Sequence, residues 1–106
     1  MVYGYCRVST KGQAKDGNSI EAQEAAVREA GAEEIYADAC TGTKKHRPQL
    51  DKLLKVIQNG DKVVVTKLDR IARSATQGIA LIDMMLDKGV TVHILNMGII
   101  QNIFFK

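Results

Sequence analysis

Residues 3–10 read Tyr-Gly-Tyr-Cys-Arg-Val-Ser-Thr, an apolar segment that leads directly into an arginine and a serine. This pattern predicts a buried β-strand over residues 2–8, and the loop that follows at 11–17 is polar and contains glycine. Arg7 and Ser9 are two positions apart, so their side chains lie on the same face of an extended chain. A hydroxyl beside a guanidinium suits phosphate chemistry, because the forked guanidinium matches two phosphate oxygens.

Signals for helices and strands alternate along the rest of the chain. Capping residues followed by apolar residues with a helical period predict three helices. These helices begin at Asn18, Pro48 and Ser74, and end at Gly31, Asn59-Gly60 and Lys88-Gly89. The apolar stripe of the third is Ile79, Ile82, Met85 and Leu86. Further strands are predicted at residues 33–38, 61–66 and 90–95, with a fifth candidate at 98–105. This order indicates an α/β fold with a mostly parallel sheet and helices on both faces.

Three polar segments follow the carboxyl ends of the first three strands, where sheets of this kind bind ligands. They are the end of the first strand with the loop at 11–17, then residues 39–47, then residues 67–73. Of the five arginines in the chain, four fall in these segments: Arg7, Arg47, Arg70 and Arg73. We therefore expect these arginines to converge on one anionic group beside Ser9.

Each further candidate has a structural and a functional interpretation. Ser9 is either a loop residue or a nucleophile whose phosphate target is activated by neighbouring donors. Asp69 either pairs with an arginine one helical turn on, or orients it and moves a proton at the leaving oxygen. Gln23 lies on an apolar stripe, so it is a boundary residue or reaches the loop around Ser9. Lys44 and Lys45 are either solvated or meet a phosphate backbone.

Composition limits the remaining possibilities. A chain of 106 residues with 45% apolar residues allows one domain with a real core, and its net charge of +3 is only weakly basic. Cys6 and Cys40 are far apart and His46 and His93 are isolated, so no metal site is expected. Phosphate-binding glycine motifs and acidic clusters are absent, which argues against dinucleotide, ATP and two-metal chemistry. No apolar run approaches about 18 residues, so a cytoplasmic protein with reduced thiols is expected.

Four motifs in combination resemble the serine recombinase family, which includes resolvases, DNA invertases and large serine integrases. They are Tyr5-Cys6-Arg7-Val8-Ser9-Thr10, Ser19-Ile20-Glu21-Ala22-Gln23, Arg47-Pro48-Gln49-Leu50 and Lys67-Leu68-Asp69-Arg70-Ile71-Ala72-Arg73-Ser74. The resemblance covers nearly the whole chain. It implies a three-layer α/β/α sandwich with a resolvase-like sheet of four to five strands. The implied strand order is 2-1-3-4-5, with an antiparallel edge strand.

The resemblance also implies a role for each candidate residue. Ser9 matches the nucleophile that attacks a DNA phosphodiester, forms a 5′-phosphoserine bond and releases a 3′-hydroxyl. Asp69 matches the family's active-site aspartate, and Gln23 matches a supporting active-site glutamine. The phosphate-binding arginines are matched by Arg7, Arg47, Arg70 and Arg73. The resemblance implies no metal and no high-energy cofactor. It also implies that the phosphoserine bond conserves the energy needed to rejoin the strands.

The implied partners are double-stranded DNA and other copies of the full-length protein, as a dimer or tetramer. No membrane and no small-molecule substrate is expected, and the protein would act in the cytoplasm, on the nucleoid when bound to DNA. Residues 1–106 would form a catalytic domain without the long dimerisation helix and the C-terminal DNA-binding domain, and would be inactive alone.

Two rival functions stay open at this point. One is a non-enzymatic phosphate- or nucleotide-binding module on a flavodoxin-like sheet, which predicts affinity for small nucleotides and no need for Ser9. The other is an inactive remnant that acts only in protein association.

Overall fold

The computed structural model describes residues 1–9, 20–40, 48–67 and 75–100. Its elements alternate as the sequence predicts. They are β1 (Val2–Ser9), α1 (Ile20–Glu29), β2 (Glu34–Cys40), α2 (Pro48–Val56), β3 (Lys62–Val65), α3 (Ala75–Asp87), β4 (Thr91–Ile94) and β5 (Gly98–Ile100). β1 and β2 continue past their predicted ends to Ser9 and Cys40, so both strands extend further towards the carboxyl edge.

The five strands form one sheet in the order β2-β1-β3-β4-β5. β1 is parallel to both of its neighbours, β3 and β4 are parallel, and β5 is the antiparallel edge strand. The expected order 2-1-3-4-5 is therefore confirmed. The strand order switches at β1, because β2 lies on one side of β1 and β3 lies on the other. In folds of this kind the ligand crevice lies at the carboxyl end of the strand where the order switches. Residues 101–105 of the predicted fifth strand lie outside the described residues.

Helices cover both faces of the sheet, which confirms the three-layer sandwich. On one face, the buried cluster joins α2 and α3 to the strands through Tyr5, Leu53, Met85 and their neighbours. On the other face, α1 packs against the sheet around Cys6, Val27, Ala32 and Val64. The two clusters follow from β1, where alternate residues point to opposite faces.

The predicted core stripe of α3 is wrong at one position. Ile79 is 60% exposed, whereas Met85 is buried and Ile82 and Leu86 are half-buried. Among residues 76–87 of α3, the buried positions are Gly78 and Met85, which are two helical turns apart on one face. A stripe of four apolar residues is compatible with more than one rotation of the helix about its axis. Packing against the sheet selects the rotation in which Ile79 is exposed to solvent.

Gly4 marks a close approach of β1 to α1. A Cβ atom at this position would lie 2.7 Å from Val27 Cγ2 and 3.1 Å from the Cβ of Ala32. We expect Gly4→Ala to lower the free energy of unfolding by about 1–3 kcal/mol, because it overpacks this contact. Urea denaturation measures the change. The control is the pair Gly4→Ala and Val27→Ala, whose combined cost should be less than the sum of the single costs, since Val27→Ala removes the clashing methyl group. A loss of unfolding free energy in the double variant equal to the sum of the two single losses would contradict the clash.

Candidate active site at the carboxyl edge of the sheet

The carboxyl ends of β1 and β2 lie side by side at one edge of the sheet. Arg7 is the cross-strand neighbour of Asp38, and Ser9 is the neighbour of Cys40. β3 is parallel to β1 and ends at Val65 on the same edge. Arg7 is half-buried there, and Ser9 is the last residue of β1, with its side chain outside the described part. The carboxyl ends of β1, β2 and β3 therefore lie at the same edge of the sheet, as the predicted parallel order requires.

Gln23 of α1 holds the backbone of β1 just before Ser9. Its Oε1 accepts a hydrogen bond from the N–H of Arg7 at 3.0 Å, and its Nε2 donates to the carbonyl of Arg7 at 3.0 Å. The ladder between β1 and β3 includes only residues 2–4 of β1, so Arg7 lies beyond the part of β1 that is paired with β3. The side-chain amide therefore supplies the donor and acceptor that a neighbouring strand would otherwise provide.

The position of Gln23 follows from the pattern of α1. Gln23 and Val27 are four residues apart on the buried face of the helix, and Gln23 is only 1% exposed. Burying a side-chain amide is costly unless its hydrogen bonds are made. Here the N–H of Arg7 donates to the amide oxygen of Gln23, and the carbonyl of Arg7 accepts from the amide nitrogen. Of the two interpretations left open by the sequence, the geometry favours contact with the segment that carries Ser9.

Asp38 is a member of this edge that sequence reasoning missed. Its buried carboxylate accepts hydrogen bonds from the Tyr5 hydroxyl and from the backbone N–H groups of Gln49 and Leu50. A signal was available. α2 begins at Pro48 after Arg47, which is not a capping residue, so the free N–H groups of its first turn need an acceptor from elsewhere.

The other predicted site residues lie outside the described residues. They are Arg47, Asp69, Arg70 and Arg73, with Lys44 and Lys45. Their places in the sequence are still informative. Arg47 directly precedes α2, and the other three site residues follow β3 after Lys67, which is exposed. Both segments therefore begin or end at the edge that carries Arg7 and Ser9.

Two groups outside the predicted site residues have shifted pKa values. Burial, reinforced by Asp61 and Glu34, raises the pKa of Tyr3 in the amino-terminal half of β1. Burial and the nearby Lys62 lower the pKa of His93 on β4. Cys6 is buried. Within the described ranges, no group of His, Cys, Asp and Glu side chains could hold a metal ion, and no helix is long and apolar enough to cross a membrane.

Comparison with known sequences assigns the chain to a family. The family model "Resolvase, N terminal domain" matches residues 2–103. The chain belongs to this resolvase family. The resolvase of transposon Tn917 from Enterococcus faecalis is 37% identical over 90 residues, which are 85% of this chain and 46% of the relative. The serine recombinase gin of Escherichia phage Mu is 40% identical over 90 residues, 85% of this chain and 44% of the relative. This resolvase-family chain spans about half the length of the curated relatives it matches.

Solved structures agree with this assignment. A resolvase family site-specific recombinase from Streptococcus pneumoniae superposes with a TM-score of 0.74 at 31% identity, covering 99% of this chain and 77% of that one. The N-terminal catalytic domain of TP901-1 integrase superposes with a TM-score of 0.72 at 28% identity, covering 92% of this chain and 78% of that one. The resolvase-family fold therefore extends over nearly all of the chain.

Proposed function

We propose that this chain carries the catalytic domain of a site-specific DNA recombinase whose nucleophile is Ser9. The observation that carries the proposal is the carboxyl end of β1, which contains Arg7 and Ser9. The two hydrogen bonds of Gln23 hold the backbone of this strand at Arg7. Relatives whose names describe resolvases, DNA-invertases and site-specific recombinases support it. Their shared substrate class is DNA, and the weakly basic charge of this chain is compatible with that partner.

The proposed reaction is a transesterification at a DNA phosphodiester. The hydroxyl oxygen of Ser9 attacks phosphorus and gives up its proton, and the bond from phosphorus to the 3′-oxygen breaks. The 3′-oxygen takes up one proton and leaves as a 3′-hydroxyl, so no net proton is consumed. The product is a 5′-phosphoserine, so one phosphoester bond replaces another and no external energy source is needed for rejoining. Negative charge grows on the phosphoryl oxygens in the transition state, where fixed donors stabilise it most.

The arginines supply those donors in this proposal. Arg7 stands on the same strand face as Ser9, and Arg47, Arg70 and Arg73 enter from the segments at the ends of β2 and β3. A guanidinium stays charged and presents a rigid fork, which suits a phosphate better than a mobile ammonium. Asp69 is proposed to orient one of these groups, Gln23 to hold β1, and Lys44 and Lys45 to meet the flanking phosphates.

Strand exchange requires several active sites, since each subunit breaks one strand and two duplexes contain four. We propose a tetramer of the full-length protein on DNA, in the cytoplasm, with no metal ion or organic cofactor in the reaction. DNA recognition would come largely from parts of the full-length protein beyond these residues.

The direct test is to trap a covalent adduct. The full-length protein is incubated with sheared genomic DNA of its host, quenched in detergent, and the protein-linked fragments are recovered and sequenced. The proposal predicts adducts at a small set of sites, with protein on the 5′ end and a free 3′-hydroxyl. Absence of adducts, together with Ser9-independent binding of small nucleotides, would instead support a nucleotide-binding module.

Arg70→Lys is expected to slow adduct formation on a recovered site by about 10²-fold or more, because a point charge cannot reproduce the two-pronged contact. The measurement is the single-turnover rate of adduct formation. The matched control is Arg28→Lys, which changes an exposed arginine in the last turn of α1, away from the three segments. If Arg70→Lys cleaves as fast as the control, Arg70 does not have the assigned role.

A further inference from the structure

We propose that Asp38 is a positioning residue that sets where Arg47 stands relative to the end of β1. The inference rests on the proposed function, because it assigns a purpose to Arg47 at the scissile phosphate. It starts from one buried carboxylate on β2 that accepts hydrogen bonds from two other elements, β1 and α2. Asp38 belongs to β2, is 5% exposed, and is the cross-strand neighbour of Arg7.

The hydrogen bonds of Asp38 connect β1 to the first turn of α2. Its Oδ2 accepts from the Tyr5 hydroxyl at 2.8 Å and from the N–H of Leu50 at 3.0 Å. Its Oδ1 accepts from the N–H of Gln49 at 3.1 Å. These are hydrogen bonds to a charged acceptor at a helix N-terminus, where the helix dipole adds to their strength. Both carboxylate oxygens are used, so the first turn of α2 has little freedom to slide or rotate against β1.

The consequence falls on the residues just outside the bonded groups. Tyr5 is two residues before Arg7 on the same strand face, and Gln49 is two residues after Arg47. Pro48 lies between, and its ring fixes one backbone angle next to Arg47. The carboxylate therefore joins a point close to Arg7 and Ser9 to a point close to Arg47. A simple helix cap would need only the two N–H groups, whereas the Tyr5 hydroxyl adds the link to the reacting strand.

The test is a double-mutant cycle on the rate of adduct formation by the full-length protein on a recovered DNA site. Asp38→Asn is expected to slow the reaction by about 10–100-fold, the usual effect of misplacing a reacting group slightly. If Asp38 acts through Arg47, Asp38→Asn has no further effect in the Arg47→Ala background. A purely structural role would multiply the two losses, and multiplied losses would overturn the inference. So would a normal rate for Arg47→Ala.

Tyr5→Phe keeps the ring and removes only the hydroxyl, so the variant should fold even if Asp38→Asn does not. The expected result is a several-fold slower reaction that also vanishes in the Arg47→Ala background. Tyr3→Phe is the matched control, because Tyr3 lies on the same strand and face but two residues further from Asp38. Equal rates for the two tyrosine variants would count against the link.

A second measurement covers the case in which Arg47→Ala is too slow to follow. Nitrogen-15 relaxation of the Arg47 side chain in the DNA complex should show increased motion in Tyr5→Phe, with Arg28 as an unchanged reference. An Arg47 signal unaltered by Tyr5→Phe would overturn the inference. Ser9→Ala is run in parallel. If it still forms the adduct, the proposed function fails, whereas a Ser9-dependent adduct with multiplied losses removes only the role of Asp38.

Discussion

Ser9→Ala is expected to abolish covalent adduct formation by the full-length protein, with a loss of at least about 10⁴-fold. No other group replaces the attacking oxygen, so the arginines retain the phosphate but nothing reacts with it. The measurement is the fraction of a recovered DNA site that migrates with protein under denaturing conditions. DNA binding should be preserved, because the substitution removes no positive charge.

The control for this experiment is Thr76→Ala, which removes a hydroxyl from an exposed position of α3. It should leave adduct formation and the midpoint of thermal unfolding unchanged. Ser9→Ala should share that midpoint, which separates lost chemistry from lost folding. An adduct that survives in Ser9→Ala at more than a trace level is incompatible with the mechanism.

Gln23→Leu is expected to lower the free energy of unfolding by about 2–4 kcal/mol. Leucine fills a similar volume, but the N–H and the carbonyl of Arg7 both lose their partner in a partly buried place. The loss is measured by urea denaturation. Gln58→Leu is the control, since Gln58 is exposed and its change should cost less than about 0.5 kcal/mol.

Gln23→Glu refines the same prediction. A carboxylate keeps the acceptor for the Arg7 N–H but places negative charge against the Arg7 carbonyl. The introduced carboxyl group then has a pKa above its ordinary value in the folded state. The free energy of unfolding of Gln23→Glu is therefore highest at low pH, where this carboxyl group is protonated, and it falls as the pH rises through the raised pKa. If Gln23→Leu and Gln23→Glu both unfold like the parent at neutral pH, the two hydrogen bonds contribute nothing.

The order of elements could be predicted because its signals are local. Gly31 and Gly89 follow α1 and α3 directly with positive φ angles, as the helix-ending pattern requires. α2 ends at Val56, before the predicted stop at Asn59-Gly60, and Gly60 takes its positive φ in the turn that leads to β3. Pro48 begins α2, and the β-branched run of residues 61–66 contains β3. Each of these depends on residues within one or two turns, so a single sequence is enough.

What could not be predicted depends on distant parts of the chain. The hydrogen bonds of Gln23 to Arg7 cross from a helix to a strand, and those of Asp38 join three elements. The rotation of α3 that exposes Ile79 is likewise set by the sheet beneath it. The sequence suggested Gln23 as a candidate because an amide stood out on an apolar stripe, whereas Asp38 at a strand end did not stand out.

The measurement that tests the central claim most directly is the site of attachment in the trapped adduct. The adduct is digested with nuclease and protease, and the peptide that retains a nucleotide is fragmented in a mass spectrometer. The account predicts one modified residue, Ser9, joined through its oxygen to the 5′-phosphate of the DNA. Attachment to any other residue, or to the 3′ end of the broken strand, would contradict it.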